Sequence, residues 1–193
     1  MAYHDLGDID SKIIEATIEV GGSNPSNHLS TSRIAKMCGV SEFVIYNHFA
    51  TKENLVSIAD HKVFEETTKE ADRLIVDNDD DFDALWNGMV NFFLARPVYT
   101  AFEINYGHMF PRVTESPNTL DFRADMIDNA KKYMKSIKFD EDWKYGYAWM
   151  WVFRTIITYA QFVLNKSLDD TEEIRSGSRH LAKTGYASVK QIS

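Results

Sequence analysis

The side chains able to do covalent or metal chemistry are few in this chain and badly spaced for it. Six histidines, His4, His28, His48, His61, His108 and His180, show no metal-ligand interval. Cys38 is the single cysteine, so no internal disulfide forms, and its place beside a helix end offers no activating context. No glycine-rich phosphate loop and no serine nucleophile elbow occurs. The neighbouring carboxylates Asp79, Asp80 and Asp81 lie in an acidic run that reads as an exposed linker. The expectation is a protein that is not an enzyme and has no metal and no cofactor. Binding chemistry remains. Between Thr31 and Lys52, hydroxyls, an amide, an imidazole and an ammonium group crowd two short segments, a set suited to phosphate oxygens and base edges.

The elements that must hold this set are legible from their caps. Asp10 is the expected N-cap of a first helix with Ile13, Ile14, Ala16, Thr17 and Val20 on one side and Gly21-Gly22 as its stop. Ser30 caps a second helix from Thr31 to about Cys38, and Gly39 supplies the left-handed residue at its end. Ser41 is expected to cap a third, from Glu42 to His48, in which Ile45 and Phe49 face inward at i and i+4. Thr51 caps a fourth that opens Lys52-Glu53-Asn54-Leu55 and runs to the acidic break at Asp77 to Asp81. Two short capped helices around Gly39-Val40-Ser41 form a helix-turn-helix, and the outward, polar start of its second helix suits the major groove. Ile34, Ala35, Ile45 and Phe49 are assigned to the core, Arg33 and Lys36 to solvated charge.

The segment resembles the TetR family of transcriptional regulators in Ile34-Ala35, in the Gly39-Val40-Ser41 turn, in Ile45-Tyr46-x-His48-Phe49 and in Lys52-Glu53-x-Leu55. The resemblance covers roughly the first 60 residues. It implies that Tyr46, His48 and Lys52 hold the DNA backbone with Thr31 and Ser32 assisting, which leaves Glu42, Phe43, Val44 and Asn47 for the bases. Asn47 is the best direct reader, since an amide donates and accepts at an adenine edge. Glu42 can accept from cytosine N4, and Phe43 or Val44 can touch thymine methyls.

Two departures from the family's pattern bear on this. Phe43 stands where a small residue is common, and Asp5, Asp8 and Asp10 stand where a basic arm often precedes the first helix. The whole chain carries a net charge of −8. Within residues 1–55, four lysines and arginines against seven aspartates and glutamates leave the head at −3. A small electrostatic contribution to DNA binding and a shallow salt dependence follow, with specificity carried by direct contacts. The alternative is a TetR-fold coactivator that works through another protein without touching DNA.

Beyond the acidic break, helices are expected near Phe82 to Arg96, Val98 to His108, Thr119 to Ile137, Trp143 to Lys166 and Thr171 to Gln191. The fold class is therefore all-α: a helix-turn-helix DNA-binding domain over residues 1–55, then a helical ligand-binding and dimerisation domain over residues 56–193. Trp86, Phe93, Phe102, Glu103, Tyr106, Met126, Trp151 and Arg154 are the candidate lining for an apolar or aromatic effector. A plain helical core accounts for most of these residues equally well. The helix from Trp143 is apolar on nearly all sides, more than one core needs to cover. Pairing it with the last helix across a two-fold axis would bury the excess, with Trp149, Phe153, Ile157, Ile174, Leu181 and Tyr186 as the expected interface of a homodimer. Its Arg154 and Gln161 argue against a membrane span, and the start of the chain lacks a signal-peptide pattern, so a cytoplasmic location is expected. The expected partners are a near-palindromic DNA operator, a small-molecule effector and a second copy of the chain.

Overall fold

The computed structural model describes residues 7–23, 29–77, 81–107, 127–133 and 138–189. Every regular element among them is helical, and no strand occurs. The elements are α1 (Asp8–Gly22), α2 (Thr31–Cys38), α3 (Glu42–Phe49), α4 (Lys52–Asp77), α5 (Phe82–Leu94) and α6 (Pro97–Tyr106). A helical segment at 127–133, α7, then precedes α8 (Asp142–Leu164) and α9 (Glu172–Ser188). The ends expected at Thr119 and Ile137 lie outside the described residues; the others fall within a few residues of the expected ones, because most are set by local signals such as Asp81, whose side chain accepts from the Asp83 N–H at 2.9 Å.

The chain divides into two compact units. One comprises Met1–Glu66 with Arg96–Gly107, the other Thr67–Ala95 with His108–Ser193. The first therefore extends past residue 55 and takes in α6, and α4 contributes to both.

In the first unit, Ile13, Ile14, Ile18 and Val20 of α1 bury against Ile34, Ala35, Ile45, Phe49, Leu55, Ala59 and Val63. Burial of each such aliphatic or aromatic side chain contributes about 1.5–3 kcal/mol before chain entropy is counted. α1 ends at Gly22, at the glycine pair expected to stop it, with Gly21 and Gly22 as its last helical residues. A Cβ on Gly21 would lie 2.7 Å from the ring of Phe102 and 3.0 Å from that of Tyr106. The bare backbone lets α6 lie close against α1, and Asn105 Nδ2 donates to the Gly21 carbonyl at 3.3 Å. Asp10 is not the cap: Gly7, three residues earlier, takes that place, which leaves the Asp10 carboxylate free for another partner.

In the second unit, aromatic rings of α5 and α8 interlock. Trp86 meets Tyr159 edge-on at 5.4 Å, Phe93 meets Phe153 at 5.6 Å, and Tyr133 of α7 meets Trp149 at 4.8 Å. Arg179 of α9 is buried, donating to Asn87 and Glu172 and lying over the Trp86 ring. No helix among the described residues is long and apolar enough to cross a membrane.

Candidate nucleic-acid interface

The turn between α2 and α3 is built by its own residues. The Ser30 hydroxyl accepts from the Arg33 N–H at 3.2 Å, capping α2. At its other end Gly39 adopts φ 71°, and the N–H groups of Gly39 and Val40 return to the carbonyls of Lys36 and Ala35. This closes the helix in a left-handed cap that favours glycine. Ser41 has the extended backbone of an N-cap, but its side chain makes no capping bond, contrary to expectation. Thr51 does cap α4, accepting from Asn54 N–H at 3.0 Å, while Asn54 Nδ2 donates to the Phe49 carbonyl.

With Ile45 at 1 % and Phe49 at 2 % exposure, α3 buries one stripe and turns the rest of its surface outward. Glu42, Phe43, Tyr46, Asn47 and His48 are exposed, and Val44 is half-buried. Phe43 stands out at 72 % exposure, a large apolar ring held in water. Ser32 is exposed on α2, with Thr31 and Lys52 half-buried at the flanks. All nine residues expected at DNA thus lie on α2, α3 and the first turn of α4, and none is buried.

Sequence reasoning missed how three of them are tied. Thr31 Oγ1 donates to Glu42 Oε2 at 2.6 Å, so a candidate phosphate contact and a candidate base contact bond to each other across the turn. His48 Nδ1 lies 2.5 Å from Asp10 Oδ1, which joins the end of α3 to the start of α1. The only signal for either pair was the presence of complementary groups, and nothing local fixed which would meet. Burial pushes the Cys38 thiol up, with Lys12 opposing, and its Sγ donates to the Lys12 carbonyl at 3.5 Å. It serves as a small packing residue, far from a reactive thiolate. Among the described residues no group of three or more histidines, cysteines and carboxylates gathers to hold a metal.

The candidate effector residues are distributed over both units. Phe102, Glu103 and Tyr106 belong to the first, where Phe102 is fully buried and Glu103 is 4 % exposed. Trp86 and Phe93 are core residues of the second, Arg154 is half-buried, and Trp151 is 44 % exposed. Met126 lies outside the described residues. Of the expected interface, Trp149, Phe153 and Ile157 are only 4, 4 and 1 % exposed within a single subunit. They are core, because the α8 stripe containing them already faces α5 and α7. The open face of α8 carries Tyr147 and Phe162 instead, Trp151 lies half-exposed against Gly185 of α9, and Leu181 of α9 is 65 % exposed. Ile174 is half-buried, and the Tyr186 side chain lies outside the described residues.

Residues 13–57 match the family model for "Bacterial regulatory proteins, tetR family". No curated protein sequence matches the chain. Among solved structures, a putative tetR family transcription regulator from Shewanella sp. PV-4 superposes with TM-score 0.65 at 18 % identity, over 91 % of this chain and 96 % of that one. A TetR family transcription regulator from Marinobacter aquaeolei VT8 gives 0.63 at 17 % identity, over 90 % and 93 %. The fatty acid degradation regulator FadR from Bacillus halodurans gives 0.59 at 14 % identity, over 96 % of both chains. The N-terminal helix-turn-helix of this chain thus matches the model of the tetR family of bacterial regulatory proteins, and the chain as a whole shares the fold of solved tetR family transcription regulators.

Proposed function

We propose that the protein is a cytoplasmic repressor that binds a near-palindromic operator as a homodimer and is released from it by an apolar or aromatic small molecule. The observation that carries the reading is the outward surface of α3: a capped, rigid turn presents Glu42, Phe43, Asn47 and His48 to solvent while Ile45 and Phe49 anchor the helix from behind. Such a helix can enter the major groove, with Tyr46, His48, Lys52, Thr31 and Ser32 on the backbone and Glu42, Phe43, Val44 and Asn47 at base edges.

Dimerisation is supported by the apolar side chains that α8 and α9 leave in water, since exposed apolar surface of this kind marks an interface. An effector of apolar or aromatic character fits the aromatic composition of α5 and α8. A ligand that binds one conformation better than the other shifts the population between them, and loss of operator affinity is then the response.

Genomic fragments captured by the purified protein test this. Enrichment of a few discrete fragments is the expected result. The Phe43 ring and the acidic head favour one second reading, a coactivator that docks on another regulator. No enriched fragment, together with co-purification of a second regulator, would establish that reading in place of the first.

A further inference from the structure

The pairing of Asp10 with His48 assigns a task to an acidic residue in a place where acid should only repel DNA. Asp10 sits in the first turn of α1 and His48 in the last turn of α3, with Nδ1 and Oδ1 at 2.5 Å. The Asp10 side chain is 20 % exposed and the imidazole 37 %, so the ring covers the carboxylate and remains accessible itself. An ionised carboxylate only accepts, so the hydrogen between them belongs to Nδ1. Nε2 is then the ring nitrogen left for an outside partner. In the neutral ring that nitrogen is a bare acceptor, useless to a phosphate, which also only accepts. In the imidazolium it donates.

We propose that Asp10 is a positioning residue for DNA binding, which holds His48 in its Nδ1–H form and reserves Nε2–H of the imidazolium for a backbone phosphate. This rests on the reading that α3 docks on DNA with His48 at the backbone. Contact with the phosphate then takes up a proton, so operator affinity falls as pH rises. Other charged or titratable groups on the elements of this unit are Asp8, Lys12, Glu15 and Glu19 on α1, Arg33 and Lys36 on α2, Glu42 on α3, Lys52, Glu53, Asp60, His61, Lys62, Glu65 and Glu66 on α4 and Glu103 on α6. Of these, Glu42 is engaged by Thr31, while Asp10 is the group bonded to the ring.

The sign of the effect separates the proposal from general electrostatics. Removing a negative charge from a DNA-binding surface strengthens binding when the charge merely repels phosphate. Removing Asp10 is expected to weaken it. The test measures fluorescence anisotropy of a captured duplex with the full-length protein from about pH 6 to about pH 8.5. At the acid end of this range Asp10→Ala is expected to cost about tenfold in affinity, the scale of one charge-assisted hydrogen bond, and the cost is expected to shrink as pH rises, because the variant's neutral ring can itself donate from Nε2, so that the pH profile flattens. The control Asp8→Asn, at an exposed neighbour, is expected to bind equally or more tightly. In a His48→Ala background Asp10→Ala is expected to cost nothing further. Nitrogen-edited histidine NMR of the protein alone is expected to show neutral His48 protonated on Nδ1, moving to Nε2 in Asp10→Ala.

An Asp10→Ala protein that binds like wild type, an equal loss in the His48→Ala background, or Nε2 protonation in the neutral wild-type ring would each overturn the proposal while leaving DNA binding intact. A wild-type protein that binds no duplex at any pH would overturn the DNA reading and this proposal together.

Discussion

At Ala50, between α3 and α4, the backbone takes φ 61° and ψ −52°, and the Phe49 carbonyl accepts from the Thr51 N–H at 2.7 Å. This is a γ-turn of the strained hand, a conformation that costs an L-residue on the order of 1–3 kcal/mol. Eleven residues earlier Gly39 takes φ 71°, where nothing lies within 4 Å of an added Cβ. The two positions make a controlled pair. Gly39→Ala is expected to lose about 1 kcal/mol, since the new methyl meets only backbone strain. Ala50→Gly is expected to gain about 0.5–1 kcal/mol, because relief of strain outweighs the added freedom of the unfolded chain. Urea unfolding midpoints decide both, and a destabilised Ala50→Gly would show that the turn is unstrained. Gly39 was legible in the sequence because glycine after a capped helix is a local signal. Ala50 was not, since its conformation is imposed by the burial of Phe49 on one side and the Thr51 cap on the other.

The elements show the same division between local and collective causes. Helices α2, α3 and α4 were readable from Ser30, Gly39 and Thr51, each acting within four residues. The α8 faces were not. An all-round apolar helix carries no periodic signal, and only its packing neighbours, α9 among them, decide that Trp149, Phe153 and Ile157 turn inward while Tyr147 and Phe162 turn out. The association of α6 with the head was equally hidden, because Gly21-Gly22 reads as a stop and acts as a seat. The join from α8 to α9 is held by a charged clasp. Arg175 donates to both oxygens of Asp170 at 2.5 and 2.6 Å, and Tyr159 adds its hydroxyl at 2.9 Å. The Arg175 guanidinium, helped by Tyr159, holds the Asp170 carboxyl below the usual carboxylate range. Burial, and then the Asp170 carboxylate, pushes the Tyr159 phenol up to about 12. For Asp170, whose folded value is depressed, the stabilisation is present above the ordinary carboxylate pKa and is lost as pH falls through the depressed value. Asp170→Asn is therefore expected to cost about 1–2 kcal/mol at neutral pH. The loss should vanish in acid, where wild type and variant unfold alike. Chemical unfolding at neutral and acid pH checks this, and an equal loss at both would assign the residue a purely steric role.

For the molecule as a whole, the open face of α8 with Leu181 predicts a two-fold pair. Phe162 at 50 % and Leu181 at 65 % exposure can be charged without disturbing the core of a subunit. Phe162→Glu and Leu181→Glu are expected to give folded monomers by light scattering and to lose operator affinity, since one head then binds without its twin. A wild-type monomer at about micromolar concentration, where stable dimers persist, would contradict this. The proposed repressor rests on a rigid α3 reading duplex edges. Selection from random duplex DNA by the wild-type protein and by Asn47→Ala addresses that most directly. A near-palindrome with half-sites about 10–10.5 base pairs apart or a multiple of that is expected, with a preference relaxed in the variant at the adenine read by Asn47. Unenriched DNA, or one and the same preferred site for both proteins, would contradict it.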